Sequence, residues 1–197
     1  MILKITFNFI LQEMVSDCQE GQIFLSFVLD WNYVIFMNWQ LSSLPKSAKI
    51  LIGLFIISLL LGYVVAILQV QQHIGMTPAA VIREYRGSTD PQDPEDPISF
   101  RGLLAVTHKH ALAVPMVYFL LSVIFLGTRH SDKIKSLFVS ALMGGFLLEY
   151  ISLWGLRYIS AYFVYLAFLS HALSSPSYIY MCLRSLKDLF TPKTDCA

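Results

Sequence analysis

The chain has 197 residues, of which 56% are hydrophobic and only 14% are charged, and its mean hydropathy is +0.61. Soluble domains carry about 25% charged residues, so this composition excludes an ordinary soluble domain and indicates a membrane protein. The net charge of +1 gives the chain no positive field with which to bind nucleic acid.

The first 36 residues are apolar in patches but are interrupted by Glu13, Asp17, Glu20 and Asp30. No run among them reaches the roughly 20 apolar residues that a transmembrane helix needs. Two interpretations stay open: an amphipathic segment at the membrane surface, or an extension upstream of a true start at Met37. We favour the start at Met37, because the residues after it make a short lead-in to the first apolar run.

Four apolar segments in residues 37–197 qualify as transmembrane helices, so the predicted fold is all-α, an integral membrane four-helix bundle. Only GLR at 155–157 separates the last two segments, which must therefore form an antiparallel hairpin. A mixed apolar and charged segment near the C-terminus predicts an interfacial helix. The predicted spans are residues 50–70, 102–127, 137–154 and 158–173, and the predicted interfacial helix is residues 176–190.

Basic residues cluster before the first span, after the second and after the fourth. With four spans these three places fall on one side, and the positive-inside rule puts that side, with both termini, in the cytoplasm. The expected location is the bacterial inner (plasma) membrane, with the connection 71–101 facing outward. The basic residues are Lys46, Lys49, Arg129, Lys133, Lys135, Arg184, Lys187 and Lys193.

The outer connection contains signals for a short capped helix over residues 78–86. Thr77 suits the N-cap, Pro78 the first helical position and Gly87 the position just past the end. The following STDPQDPEDP has a proline at every third position, and proline disfavours the helical conformation in the residue before it. We expect an extended, polyproline-like acidic strap there, and a solvated linker in preference to a calcium site.

Histidines near the ends of the spans are the candidate cofactor ligands. A bis-histidine haem b needs two imidazoles at similar depth on different helices, and on the outer side His73 with His108 or His110 meets that condition. His108 and His110 lie about 200° apart around a helix, so only one can face a given partner. On the other side, His130 and His171 could form a second pair.

A second interpretation makes the same outer region a polar notch that needs no cofactor. Pro115 leaves the carbonyl one turn before it without a donor, and Thr107 and the two histidines lie beyond that carbonyl. The notch could then hold the outer helix through Tyr85 or Glu84, or hold water. The histidines could also sense external pH.

Glu149 and Arg157 are the ionisable residues near the end of the third span. They indicate either an interfacial pair or two independent side chains that reach the membrane surface. The aromatic residues around them are typical of a belt at the membrane interface. Two small-xxx-small pairs in the same span predict close helix packing. These small residues are Ser140, Ala141, Gly144 and Gly145.

Two stretches resemble an uncharacterised family of small four-span bacterial inner-membrane proteins with a YxG…Thr-His-x-His signature. They are EYRGS with the later SFRGLLAVTHKHALAVPMVYFLLSVIFLGT, and the hairpin ISLWGLRYISAYFVYL around Trp154, Arg157 and Tyr158. The resemblance covers about residues 45–190. It implies a fold and a membrane but no activity, and it implies that His108 and His110 form one unit with the loop helix. The matching positions are Tyr85, Gly87, Ser99, Leu103, Leu104, Thr107, His108, His110 and Pro115.

Three functional hypotheses follow. The first is a haem- or metal-binding electron-transfer subunit using the outer histidines. The second is a non-catalytic accessory or scaffold subunit of a membrane or envelope complex, in contact with lipid and with other membrane or periplasmic subunits. A transporter is a poorer third, since no inverted repeat or broken helix pair is evident. No nucleophile elbow, HExxH motif or CxxC pair is present, so we do not expect an enzyme.

Overall fold

The computed structural model describes residues 40–88, 90, 92 and 94–191, all of them in the second of two units, Met1–Trp39 and Gln40–Ala197. The predicted N-terminal extension, the start at Met37, and Cys18 and Cys196 lie outside the described residues.

Within the described residues the chain folds into five α-helices and no strand, which confirms the all-α prediction. A single turn of 3₁₀ helix at Leu41–Ser43 precedes them. The helices are α1 (Lys46–His73), α2 (Pro78–Arg86), α3 (Phe100–Leu126), α4 (Asp132–Tyr158) and α5 (Phe163–Phe190).

Local sequence signals set the ends of α2 and the start of α3. The Thr77 side chain accepts a hydrogen bond from the backbone N–H of Ala80, with Pro78 in the first turn. Gly87 ends α2 with a φ of 80°, in the left-handed region that favours glycine. Ser99 caps α3 by accepting from the N–H of Gly102.

Three of the helices, α1, α3 and α4, are long and apolar enough to cross a membrane. Many of their leucines, isoleucines and valines are exposed in the folded chain, for example Leu51 at 70% and Leu61 at 64% of their surface. Such a surface needs an apolar solvent around it. The chain is therefore a membrane protein whose helices contact lipid, as its composition predicted.

The structure differs from the prediction in the C-terminal third. Residues 163–190 form one continuous helix, with Pro176 inside it, in place of a short span and a separate interfacial helix. Its second half lies in the core, where Tyr178, Met181 and Cys182 are buried. These three residues share a cluster with buried Ile56, Leu121, Phe125 and Leu142 from α1, α3 and α4.

Buried serines explain why the hydropathy pattern did not predict α5 as one continuous helix. Ser170, Ser174 and Ser177 are buried, and their hydroxyls donate to carbonyls of their own helix, at Ala167, Ser170 and Leu173. Their polarity lowers the mean hydropathy of the segment, although these hydroxyls face protein and not lipid. The prediction of an interfacial helix at 176–190 was wrong because hydropathy does not show which neighbours a segment will have.

The helices alternate in direction between two ends of the bundle. At one end the N–H of Leu41 donates to the carbonyl of Gly127 over 2.9 Å, which joins the start of α1 to the end of α3. The end of α5 lies there too, because Asp188 accepts from the N–H of Arg129. We name this the basic end, because it carries the lysines and arginines predicted to lie together, as far as residue 191. We name the opposite end, where α2 lies, the loop end.

The acidic segment after α2 folds back on itself. The N–H of Ser88 donates to the carbonyl of Glu95 over 2.9 Å, and the N–H of Glu95 donates back over 3.2 Å. Arg83 and Glu95 form an ion pair at 2.8 Å. The prediction of an extended strap was wrong here, because Gly87 redirects the chain and Ser88 pairs with Glu95.

Candidate functional site

The loop end is closed by α2, which lies on the end of α4 and the start of α5. Tyr85 of α2 is only 6% exposed, and it packs in a cluster with Leu103, Leu156 and Val164. Burial, then the nearby carboxylates of Glu149 and Glu84, raise the pKa of Tyr85 to about 12. Tyr85 is thus a neutral anchor of the loop helix, while Glu84 is exposed. Contact of Tyr85 with the notch around Thr107 stays a prediction.

Two guanidinium groups, one on α2 and one on α4, link the outer connection to the end of α4. Arg86 of α2 donates from Nη1 to the carbonyl of Leu156 over 2.9 Å. Arg157, the next residue along α4, donates from Nε to the carbonyl of Ile98 over 2.8 Å. We name α2 and the connection after it, residues 78–99, the cap. The cap is thereby attached to the last turn of α4 at two places, the end of α2 and the residue before Ser99.

Thr107 forms the centre of the predicted notch. Its hydroxyl donates to the carbonyl of Leu103 over 2.7 Å and accepts from Nε1 of Trp154 over 3.1 Å. Its carbonyl accepts from the Tyr150 hydroxyl over 2.9 Å. Pro115 lies eight residues further along α3, about 12 Å by helical rise, so these contacts form without it.

The two aromatic partners of Thr107 were expected to be general belt residues, and their specific contacts were missed. Tyr150 and Trp154 lie four residues apart, on one face of α4. That spacing was the available signal for a shared partner on a neighbouring helix.

His73, His108 and His110 are all exposed, and His108–Ala113 is a run of six exposed residues. Six residues exceed one helical turn, so this part of α3 is uncovered on every side. Among the described residues, no group of three or more His, Cys, Asp or Glu side chains could hold a metal ion. Cofactor binding by the three histidines stays a prediction.

His171 and His130 lie in different environments and do not pair. Nε2 of His171 is 3.7 Å from Oε1 of Glu149. His130 instead forms a hydrogen bond of 3.0 Å with the Tyr180 hydroxyl. Tyr180 follows His171 by nine residues, about 13 Å of helix. The predicted His130–His171 pair was wrong because α5 continues well beyond residue 173. Glu149 and Arg157 likewise have separate partners.

The basic end contains a buried carboxylate that the sequence analysis missed. Asp188 is 3% exposed; Oδ2 accepts from the N–H of Arg129 over 2.9 Å, and Oδ1 is 3.3 Å from Nη2 of Arg184. Burial, then the Arg184 guanidinium, lowers the pKa of His130 below its ordinary value, and Asp188 opposes that shift. The available signal was the i,i+4 spacing of Arg184 and Asp188, and it was hidden by the assignment of this segment to the membrane surface.

A family model described as a transmembrane helical domain matches residues 75–196, which is more than half of the chain. No curated protein and no solved structure matches the chain. The matched residues take in α2 to α5 and leave out α1. The chain belongs to this family of transmembrane helical domains.

Proposed function

We propose that this chain is a non-catalytic membrane subunit, and that its cap is the surface on which a partner protein docks. The proposal rests on the contacts that hold the cap against α4. A connection between two membrane helices needs no fixed structure to join them, yet this one buries Tyr85 and is held to α4 by Arg86 and Arg157. A surface held rigid before binding loses little conformational entropy when a partner arrives.

The charge of the cap indicates the kind of partner. Glu84, Asp90 and Asp96 are exposed, so we expect a partner with a basic surface and an association that weakens as salt increases.

The membrane topology is part of the proposal. We infer that α5 crosses the bilayer as a fourth span, because it is as long as α1 and because four of its serines and Asp188 are buried in the folded chain. In the bacterial plasma membrane, the basic end then faces the cytoplasm with both termini, and the cap faces outward.

The electron-transfer hypothesis requires a different arrangement. His108 and His110 are exposed on a bare stretch of α3, so a haem or metal bound there would need its other ligand from His73, from a second copy or from another subunit. An absorption spectrum and metal analysis of the purified chain, with His108→Ala and His110→Ala variants, tests this directly. A Soret band that is lost in either variant would favour electron transfer over the accessory role.

The docking proposal is tested by cross-linking the tagged full chain in its native membrane and identifying the proteins captured. We expect one reproducible partner that is lost from a Tyr85→Ala/Arg86→Gln double variant, in which the cap is released. A Glu84→Ala variant is the matched control for folding, since Glu84 is exposed on the same helix; we expect it to reduce capture only partly, and only at low salt. Capture of the same partner by the double variant would overturn the docking role of the cap.

A further inference from the structure

A groove of about 280 Å³ opens on the surface of α4 at the basic end. One of its lining residues, Leu126, is the last of α3. The other five lie on α4 at relative positions 0, 3, 4, 7 and 8, which is one face of a helix. They are Asp132, Lys135, Ser136, Val139 and Ser140.

The lining of the groove changes character along the helix. Its start carries a carboxylate and an ammonium group, from Asp132 and Lys135, beside the hydroxyl of Ser136. Leu126, from the end of α3, borders this start, and farther along α4 the groove is lined by Val139 and Ser140, with exposed Leu137 nearby. A ligand that fits this order has both charges at one end and hydrocarbon at the other.

The same face continues away from the groove as a shallow track. Ser136, Ser140 and Gly144 recur at every fourth residue, all are exposed, and nothing lies within 4 Å of where a Cβ on Gly144 would stand. Leu137 and Leu147 are 65% and 62% exposed and border the track. The track therefore faces the lipid.

We propose that this groove and track bind one membrane phospholipid with a zwitterionic amine headgroup. Lys135 and the hydroxyl of Ser136 bind the phosphate, Asp132 binds the ammonium group, and one acyl chain lies on the track past Ser140 and Gly144. Ligand pockets for whole small molecules measure about 300–1,000 Å³, so this groove suits a headgroup whose chains lie outside it.

The charges of the groove favour a zwitterionic headgroup over an anionic one. An anionic headgroup without an amine would satisfy Lys135 but would leave Asp132 facing a second negative group. A second copy of the chain could use Ser140 and Gly144 for close helix contact, but that contact makes no use of Asp132 and Lys135. The zwitterionic lipid is the ligand that uses all four residues.

The test is native mass spectrometry of the full chain in mild detergent, after incubation with equal amounts of phosphatidylethanolamine and phosphatidylglycerol. We expect one phosphatidylethanolamine molecule to be retained per chain. Lys135→Gln should lower that retention about tenfold, which corresponds to a loss of about 1.4 kcal/mol of binding free energy. Lys133→Gln is the matched control, because Lys133 is exposed two residues away and does not line the groove; we expect it to change nothing.

Two more variants address the amine and the chain. Asp132→Asn should reduce the preference for phosphatidylethanolamine over phosphatidylglycerol while leaving total retention nearly unchanged. Gly144→Leu should reduce retention of both lipids by occupying the track. Competition by soluble glycerophosphoethanolamine at the concentration of the lipid would show that the headgroup alone binds, and would overturn the assignment of a membrane lipid.

Equal lipid retention by the wild type, Lys135→Gln and Lys133→Gln would overturn the proposal, as would a lipid-free dimer that Gly144→Leu separates. Either result would leave the docking role of the cap untouched, because the groove lies at the other end of the bundle.

Discussion

Helices α1 and α5 both have 28 residues, but they meet their surroundings in opposite ways. α1 is strongly apolar, and its last ten residues, 64–73, are exposed throughout. α5 carries serines, a histidine and a proline, and it contacts every other helix. In a membrane the most apolar helix is the one that faces lipid, and a more polar helix can be the centre of the bundle.

The physical reason is that lipid tails are as apolar as the side chains that could replace them. Burying leucine against another helix therefore gains little from the hydrophobic effect, and close packing and hydrogen bonds decide which helix lies in the middle. α5 supplies small serines that let a neighbour approach, and Tyr178, whose hydroxyl donates to the carbonyl of Leu59 over 3.0 Å.

The largest effect should come from separating α4 from α5. A Cβ added to Gly145 would stand 2.9 Å from the carbonyl oxygen of Ser170, whereas one added to Gly144 would meet nothing within 4 Å. We expect Gly145→Leu to lower the free energy of unfolding by about 3 kcal/mol, because a backbone oxygen cannot rotate away. Gly144→Leu should change it by less than about 0.5 kcal/mol.

Thermal unfolding in mild detergent, followed by circular dichroism, measures the difference between these two neighbours. Equal loss of stability in the two variants would mean that α4 does not present its Gly145 face to α5.

A second pair of variants compares α5 with α1 directly. Met181 of α5 is fully buried and Leu61 of α1 is 64% exposed. Met181→Ala should lower the free energy of unfolding by about 2 kcal/mol, near the low end for a buried methionine. In a membrane the hydrophobic gain from burying the side chain is reduced, but the packing contacts are still lost. Leu61→Ala should cost under about 0.5 kcal/mol. A larger loss for Leu61→Ala, by the same melting measurement, would contradict the central position of α5.

Sequence reasoning succeeded where the determining contacts are local. Thr77, Pro78 and Gly87 define α2 within a dozen residues, and apolar runs of sufficient length locate α1 and α3. The same local signals explain why one helix was divided in two. Ser174, Ser175 and Pro176 break the apolar run, although the helix continues through them.

Contacts between distant residues could not be read in the same way. Arg86 and the carbonyl of Leu156 are 70 residues apart, and Asp188 and the N–H of Arg129 are 59 apart. A backbone carbonyl has no sequence signature, so nothing in the chain marks the partner of either side chain. Tyr85 and Thr107 were predicted to belong to one notch, but the Tyr150, Trp154 and Leu103 partners of Thr107 came only from the structure.

A smaller loss of stability should follow from removing one hydrogen bond between α3 and α4 at the loop end. Thr107→Val keeps the shape of the side chain but removes the acceptor of the Trp154 Nε1–H. We expect a loss of about 1 kcal/mol, the usual contribution of one neutral hydrogen bond. The change should also make the Trp154 indole more mobile, which tryptophan fluorescence anisotropy measures, with Leu104→Ala, an exposed position on the same helix, as a control. An unchanged melting temperature and anisotropy would show that the notch is held by apolar packing alone.

The smallest effect concerns His130, at the basic end where α5 meets the turn between α3 and α4. Burial comes first among the causes that lower its pKa; Arg184 and Lys135 act in the same direction and Asp188 opposes them, while the Tyr180 hydroxyl is its hydrogen-bond partner. The folded state therefore disfavours the protonated imidazole. Its contribution to stability is complete above the unfolded pKa of about 6.5 and is lost as the pH falls through that value towards the lower folded pKa.

We therefore expect the wild type to lose more stability than His130→Gln when the pH is lowered from 7.5 to 5. The difference should stay under about 1 kcal/mol, because solvent partly screens the imidazole. The four other histidines are common to both proteins, so their titration cancels in the comparison of melting temperatures. Parallel pH profiles would mean that the protonated imidazole is accommodated at no cost between Tyr180 and Asp188. A steeper loss of stability in the wild type would show that the neutral imidazole of His130 stabilises the turn after α3. The buried end of α5 would then respond to protonation, whereas the exposed α1 has no such contact.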